Sequence, residues 1–299
     1  MLKEFAVEPI VLSTWEQFRY LTEKFGVSEG RLISRFPSKW KKMVYEALNG
    51  CSEIERKRIE VKLQNLDEKM MARPHEWSAS ESWLSNAARE HGRHPFDGIL
   101  AQQNSSGHEA VLVASALDED VAGWKVDREL VVPRDARAMA QAMRRLLQLS
   151  RRVVFVDPYF DPSKPRSRAA IEAYLTAIYS RDNGVPLDAV EFHTGSRLGI
   201  DFLCRECQAR LPGNIPHGRS VRVVSWAEKQ GGEGMHNRYV LTDRGGLSLR
   251  WGLDEGNAGQ TDDLSLLSHN VYSVRWQQYC GDTPAFDLAS SIEVMGQKQ

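Results

Sequence analysis

Cysteine is scarce in this chain: Cys51, Cys204, Cys207 and Cys280 are the four among 299 residues. So few, so widely scattered, they exclude the disulfide framework of a small secreted domain and fit a reducing compartment. Also missing is any apolar run approaching the roughly 20 residues that a membrane-spanning helix needs. The start of the chain, with Glu4 and Glu8, lacks the basic and apolar pattern of a signal peptide. A cytoplasmic location is therefore the expectation. Neither charge sign is in excess: the formal net charge is −1. Bulk electrostatics thus neither attracts nor repels a polyanion, and any such site must be a local patch. No internal repeat and no low-complexity segment is present. What remains, 41% hydrophobic and 26% charged residues, is ordinary globular composition, and the length suggests two domains.

The first hundred residues read as mainly helical. A helix is expected over 14–25. Ser38 precedes Trp40, Met43, Val44, Ala47 and Leu48, which recur at helical spacing before Gly50. Ser52 and Glu55 have capping-box spacing ahead of Ile59, Leu63, Leu66 and Met70, and Pro74 closes that stretch. A third helix is expected from Ser78, with Glu81 in the box position and Leu84, Ala87, Ala88 and His91 on one face. Strand-like runs over 110–116 and 129–132 follow, and Pro133 marks the boundary of a mainly helical domain over 1–133. Beyond it, helices over 135–149, 168–179 and 200–211 alternate with strands over 153–156, 190–193 and 221–226. That alternation predicts an α/β layered domain over 134–299.

Chemistry concentrates after residue 230. Tyr239 and Leu241 alternate with Arg238, Val240 and Thr242, so a half-buried strand is expected, with His236 and Arg238 projecting from one face. Asp243 ends that strand, Gly245-Gly246 reverses it, and the returning strand brings Asp254 toward the same mouth. Imidazole, guanidinium and carboxylate suit the grip of a phosphodiester or attack on it. Asp157, where the strand over 153–156 runs into a loop, is a further ligand-binding candidate, with an ordinary Asp-Pro turn as the alternative.

His236, Arg238 and Asp243 match the histidine-x-lysine-x4-aspartate spacing of the phospholipase D superfamily, which the chain resembles over roughly 134–299, with arginine in the lysine position. The longer run from Met235 to Gly256, with its later Gly252-Leu253-Asp254, resembles the phospholipase-D-like C-terminal domain of MIT-domain proteins and its bacterial relatives. The motif occurs once. The resemblance implies a phospholipase-D-like sheet with helices on its faces and a metal-independent phosphodiesterase or nuclease chemistry. His236 would attack phosphorus while Arg238 neutralises the non-bridging oxygens. The leaving-group acid would be the partner's His236 in a homodimer, or His193 of the same chain. Asp254, in that Gly-Leu-Asp element, would orient Arg238 or His236, with a buried structural salt bridge as the alternative, and Arg238, Asp157 and Asp254 are the phosphate- or ligand-binding candidates. Nucleic acid is favoured as substrate. The alternative is a non-catalytic module for an anionic lipid headgroup or a protein partner, and a subunit of a bacterial defence or stress system is compatible with either.

No cofactor and no metal are expected. Cys204 and Cys207 resemble half a zinc site, but with Leu211 they follow helical i, i+3, i+7 spacing, so both thiols are expected in the core. The stretch 31–73 holds eleven Lys or Arg against six Asp or Glu. Trp40 falls on its apolar stripe, so a core tryptophan with a solvated basic face is expected rather than a nucleic-acid surface.

Overall fold

Short runs of two to five residues form the strands of the N-terminal unit in the computed structural model, which describes residues 1–118 and 120–299. Two units separate: Met1–Arg128 with Asp182–Gly184, and Glu129–Arg181 with Val185–Gln299.

The first unit contains β1 (Lys3–Val7), α1 (Trp15–Glu23), β2 (Arg31–Ser34), α2 (Trp40–Glu46), α3 (Glu53–Gln64), β3 (Met70–Met71), α4 (Trp83–Arg93), β4 (Gly98–Ala101) and β5 (Val111–Val113). Its strands pair in parallel in the order β3-β2-β1-β4-β5. More of this unit is helix than strand, as a mainly helical reading with a few short strands expects, but the strands join in one parallel sheet, which that reading did not include. β2 and β4 are buried along their whole length and β1 along most of it, so they lack the polar alternation that reveals a half-buried strand. The helices lie close to where periodicity puts them. Ser52 and Glu55 complete a reciprocal capping box, and Thr14 caps α1. The sequence offers Ser38 and Ser78 as helix caps, but neither caps: Ser38 contacts His75, and Ser82 starts α4. Trp40 is fully buried, as its stripe predicts.

The second unit contains β6 (Glu129–Pro133), α5 (Ala136–Leu149), β7 (Arg152–Val156), α6 (Pro165–Tyr179), β8 (Ala189–Gly195), α7 (Ile200–Arg210), β9 (Ser220–Ala227), β10 (Arg238–Thr242), β11 (Gly245–Leu249), β12 (Thr261–Leu266), α8 (His269–Cys280) and β13 (Asp287–Met295). They build an eight-stranded mixed sheet, β13-β9-β8-β7-β10-β11-β12-β6. The central β7, β8 and β9 are parallel, and β10 runs antiparallel to β7. Side-chain alternation divides the two faces. On one, Phe155 and Phe192 stack at 4.8 Å and Phe155 stacks on Tyr174 of α6 at 5.0 Å. On the other, Val154, Val156, Trp226, Tyr239 and Leu241 pack with Tyr279 of α8. Among the described residues no helix is long and apolar enough to cross a membrane.

Candidate functional site

The β10–β11 hairpin forms in the expected place, from Arg238↔Leu249 to Thr242↔Gly245. Arg238 is the first residue of β10 and projects to the α6 side, opposite Tyr239. Asp157 follows β7 directly, and the pairing Tyr239↔Val156 sets the two side by side. They line a cavity of about 230 Å³ together with Arg134, Lys164, Arg166 and Asp254, and with the rings of Tyr159, Phe160, Tyr174, Phe192 and Trp251.

Four cations and two carboxylates line it; Lys164 is paired with Asp161 outside the lining (Nζ to Oδ2, 3.5 Å), and the two lining carboxylates are heavily committed. Asp157 accepts from the amides of Tyr159 (2.9 Å) and Leu253 (3.0 Å), while Arg238 Nε stays 3.9 Å away. Burial pushes the Asp157 carboxyl above its ordinary range, against the opposing pull of those amides and of Arg238. Asp254 lies between Arg134 Nη2 and Arg166 Nε, each at 2.7 Å. Arg238 Nε and Arg134 Nε are buried without a hydrogen-bond acceptor. Arg238 rests instead on the Tyr159 ring, 4.9 Å from its centroid, and the exposed Arg197 lies on the same ring at 4.7 Å. A neutral ring orients these guanidiniums without cancelling their charge. Ser167 of the first turn of α6 also lines the cavity, and that turn carries Arg166 and no acid. Like charge thus accumulates at the positive end of a helix, an arrangement that an anion would relieve.

The other sequence candidates lie elsewhere. His236 precedes β10, is exposed, and does not line the cavity. Its ring lies against Gly234, where a Cβ would come within 2.6 Å of Nε2. Asp243 sits at the far end of β10 and accepts from the amides of Arg151 (2.8 Å) and Arg152 (3.0 Å), which fixes the start of β7. His193 is 1% exposed on the opposite face of the sheet from Arg238, because its neighbour Phe192 takes the α6 face. Its Nε2–H donates to Glu191 (2.9 Å) and its Nδ1 accepts from Trp226 Nε1–H (3.1 Å). With both nitrogens engaged in the core, His193 cannot serve as the leaving-group acid for a phosphate at Arg238.

The cysteine expectation is corrected in part. Cys207 is buried between Leu203 and Leu211, but Cys204 is exposed: the buried stripe of α7 runs i, i+4, i+8, and Cys204 falls beyond its edge. Among the described residues no group of three or more His, Cys, Asp or Glu could hold a metal ion. Sequence reasoning missed Arg134, Lys164, Arg166 and Trp251. They come from three separate segments, Lys164 and Arg166 sharing the start of α6, and converge only in the fold. For Lys164, Arg166 and Trp251 the one available signal was nearness to Asp157 or Asp254 in the chain; Arg134 had none.

No protein-family model matches this chain, and no curated protein matches it in sequence. Among solved structures it is similar to TrmBL2, an archaeal chromatin protein described as showing a novel mode of DNA binding. The identity is 12% and the TM-score 0.27, with 55% of this chain and 54% of that one covered. The match spans about half of each chain, and a likeness this slight carries no argument about fold or function.

Proposed function

We propose that the C-terminal unit is a phospholipase-D-like domain that binds a phosphodiester in the cavity headed by Arg238. One observation carries this reading: Arg238 presents a buried Nε with no acceptor, inside a cavity where cations outnumber carboxylates four to two. A phosphate oxygen would supply that acceptor and offset the excess charge. Arg134 and Arg166 are held by Asp254, and Arg238 by Tyr159, so the donors are oriented before a ligand arrives.

Binding is favoured over turnover. His236 lies outside the cavity, and His193 is spent in the core, so the histidine pair that a phosphohistidine route requires is not assembled within one chain. Cleavage would need the partner's His236 in a homodimer. The reading is tested by titrating the full chain and its Arg238→Ala variant with a dinucleoside monophosphate, beside a size measurement in solution. Binding that Arg238→Ala weakens by about tenfold or more supports it, since charge-assisted hydrogen bonds are each worth about 1.5–3 kcal/mol. Equal affinity in a folded variant rejects it.

A further inference from the structure

We infer that the ligand of this cavity is single-stranded nucleic acid, with an unpaired base stacked on Trp251 at the rim. The inference rests on the phosphate-binding reading above and adds the substrate class.

Trp251 lines the cavity and yet is 62% exposed, an unusual placement for the largest apolar side chain. Its backbone is held firmly. The carboxylate of Asp262, buried on β12, accepts from the amides of Arg250 (3.0 Å), Trp251 (3.1 Å) and Gly252 (3.4 Å). Two residues on, Leu253 N–H donates to Asp157 at 3.0 Å, and the Leu253 carbonyl accepts from Tyr174 Oη at 2.8 Å. Gly252 lies in between, where a Cβ would press on both carboxylates, 3.1 Å from Asp157 Oδ2 and 3.2 Å from Asp254 Oδ1. Buried polar groups on both sides therefore fix the peptide that carries a solvent-facing indole.

Tyr159, 43% exposed, is a second ring on the same rim, with Arg238 and Arg197 against it. Cations for the backbone beside a rigid open aromatic face for a base make the arrangement that single strands use. A duplex offers its phosphates but keeps its bases stacked on one another. An anionic headgroup would use the cations and leave the indole without a planar partner.

The test uses the full chain, its Trp251→Ala, Trp251→Phe and Arg238→Ala variants, and four probes. These are a short single-stranded DNA, the same backbone with abasic residues, its duplex, and vesicles of phosphatidylglycerol in phosphatidylcholine. Circular dichroism checks folding, which an exposed side chain should not disturb. Trp251→Ala is expected to weaken the base-bearing single strand about tenfold, to leave the abasic strand unchanged, and to be rescued largely by Phe. Arg238→Ala should weaken both strands. Equal affinity for base-bearing and abasic strands, still dependent on Arg238, overturns the stacking inference and leaves the phosphate reading intact. The same holds if Trp251→Ala weakens both strands alike. A duplex bound as tightly as the single strand, or vesicles bound through Arg238 in place of either strand, overturns the single-strand assignment alone. No binding of any probe overturns both.

Discussion

Arg238 Nε and Asp157 Oδ1 stand 3.9 Å apart across neighbouring antiparallel strands, close enough to attract and too far to share a hydrogen bond. Asp157 directs its oxygens at the amides of Tyr159 and Leu253 instead. The carboxylate thus organises two loops while leaving the guanidinium available to a ligand.

Asp157→Asn should therefore tighten anion binding. A unit charge at this separation is worth on the order of 1–4 kcal/mol between fully aqueous and surface-like dielectrics, so a gain of about fivefold or more is expected. Asn offers one acceptor for two amides, and the lost bond costs about 1–3 kcal/mol, offset in part by removing a buried charge. Affinity and unfolding midpoint should be measured on the same preparation. Weaker binding at unchanged stability would mean that the carboxylate aims Arg238.

The Glu191–His193 pair makes stability fall in acid. Burial holds His193 below its ordinary value of 6.5, despite the neighbouring carboxylate. Burial opposes ionisation of Glu191 too, but the hydrogen bonds from His193 and Arg152 prevail and hold it at about 2. Both folded values lie below the unfolded ones. The stabilisation is complete above 6.5, is lost as pH falls from 6.5 toward the folded value of His193, and is lost further from 4.5 toward about 2. Each one-proton difference gives a slope of about 1.4 kcal/mol per pH unit. Urea midpoints of the full chain from neutral to acid pH should show the first fall. A flat profile across that window contradicts a neutral, buried His193.

Much of this was legible in the sequence, and what was not has physical causes. The capping box of Ser52 and Glu55, the helix beginning near Thr14 and the hairpin about Gly245 rest on local rules, and they form. The parallel sheet of the first unit rests on β1, β2 and β4, runs of four or five residues buried on both faces, where periodicity cannot separate strand from buried helix. His193, the intrachain alternative for the leaving-group acid, falls at the end of a strand, but a period of two sends it to the face opposite Phe192. Arg134 pairs with Asp254 across 120 positions, a contact that no local pattern announces.

The helical cysteines give a direct check on side-chain placement. Cys204 is exposed, whereas burial raises the thiols of Cys207 and Cys280 to about 12, and Cys51 is half-buried with its Sγ 3.6 Å from the Ser13 carbonyl. One thiol per chain should react rapidly with a thiol reagent, and Cys204→Ser should abolish that phase without loss of stability. Cys207→Ala should leave the fast phase and cost about 1 kcal/mol or more through lost packing. Fast labelling that survives Cys204→Ser would place another thiol at the surface.

Asp262 offers the last expectation, because it joins stability to the site. It is 1% exposed and, besides the three amides of the Trp251 segment, accepts from the Asp263 amide at 2.8 Å. Asp262→Ala leaves those amides without their acceptor at the end of β11, where the chain turns toward Leu253 and Asp254. Each buried donor left unsatisfied costs about 1–3 kcal/mol, and water reaching the loosened segment recovers part of it, so a net loss of about 3 kcal/mol is expected. The damage should be local first: amide exchange over residues 250–253 should accelerate more than exchange in β7 and β8. Ligand affinity should fall as well, because the segment carries Trp251 and leads into Asp254, the residue that orients Arg134 and Arg166. Unchanged exchange over 250–253, with stability lost uniformly across the sheet, would assign Asp262 to general packing and remove the reason for regarding the Trp251 peptide as preorganised.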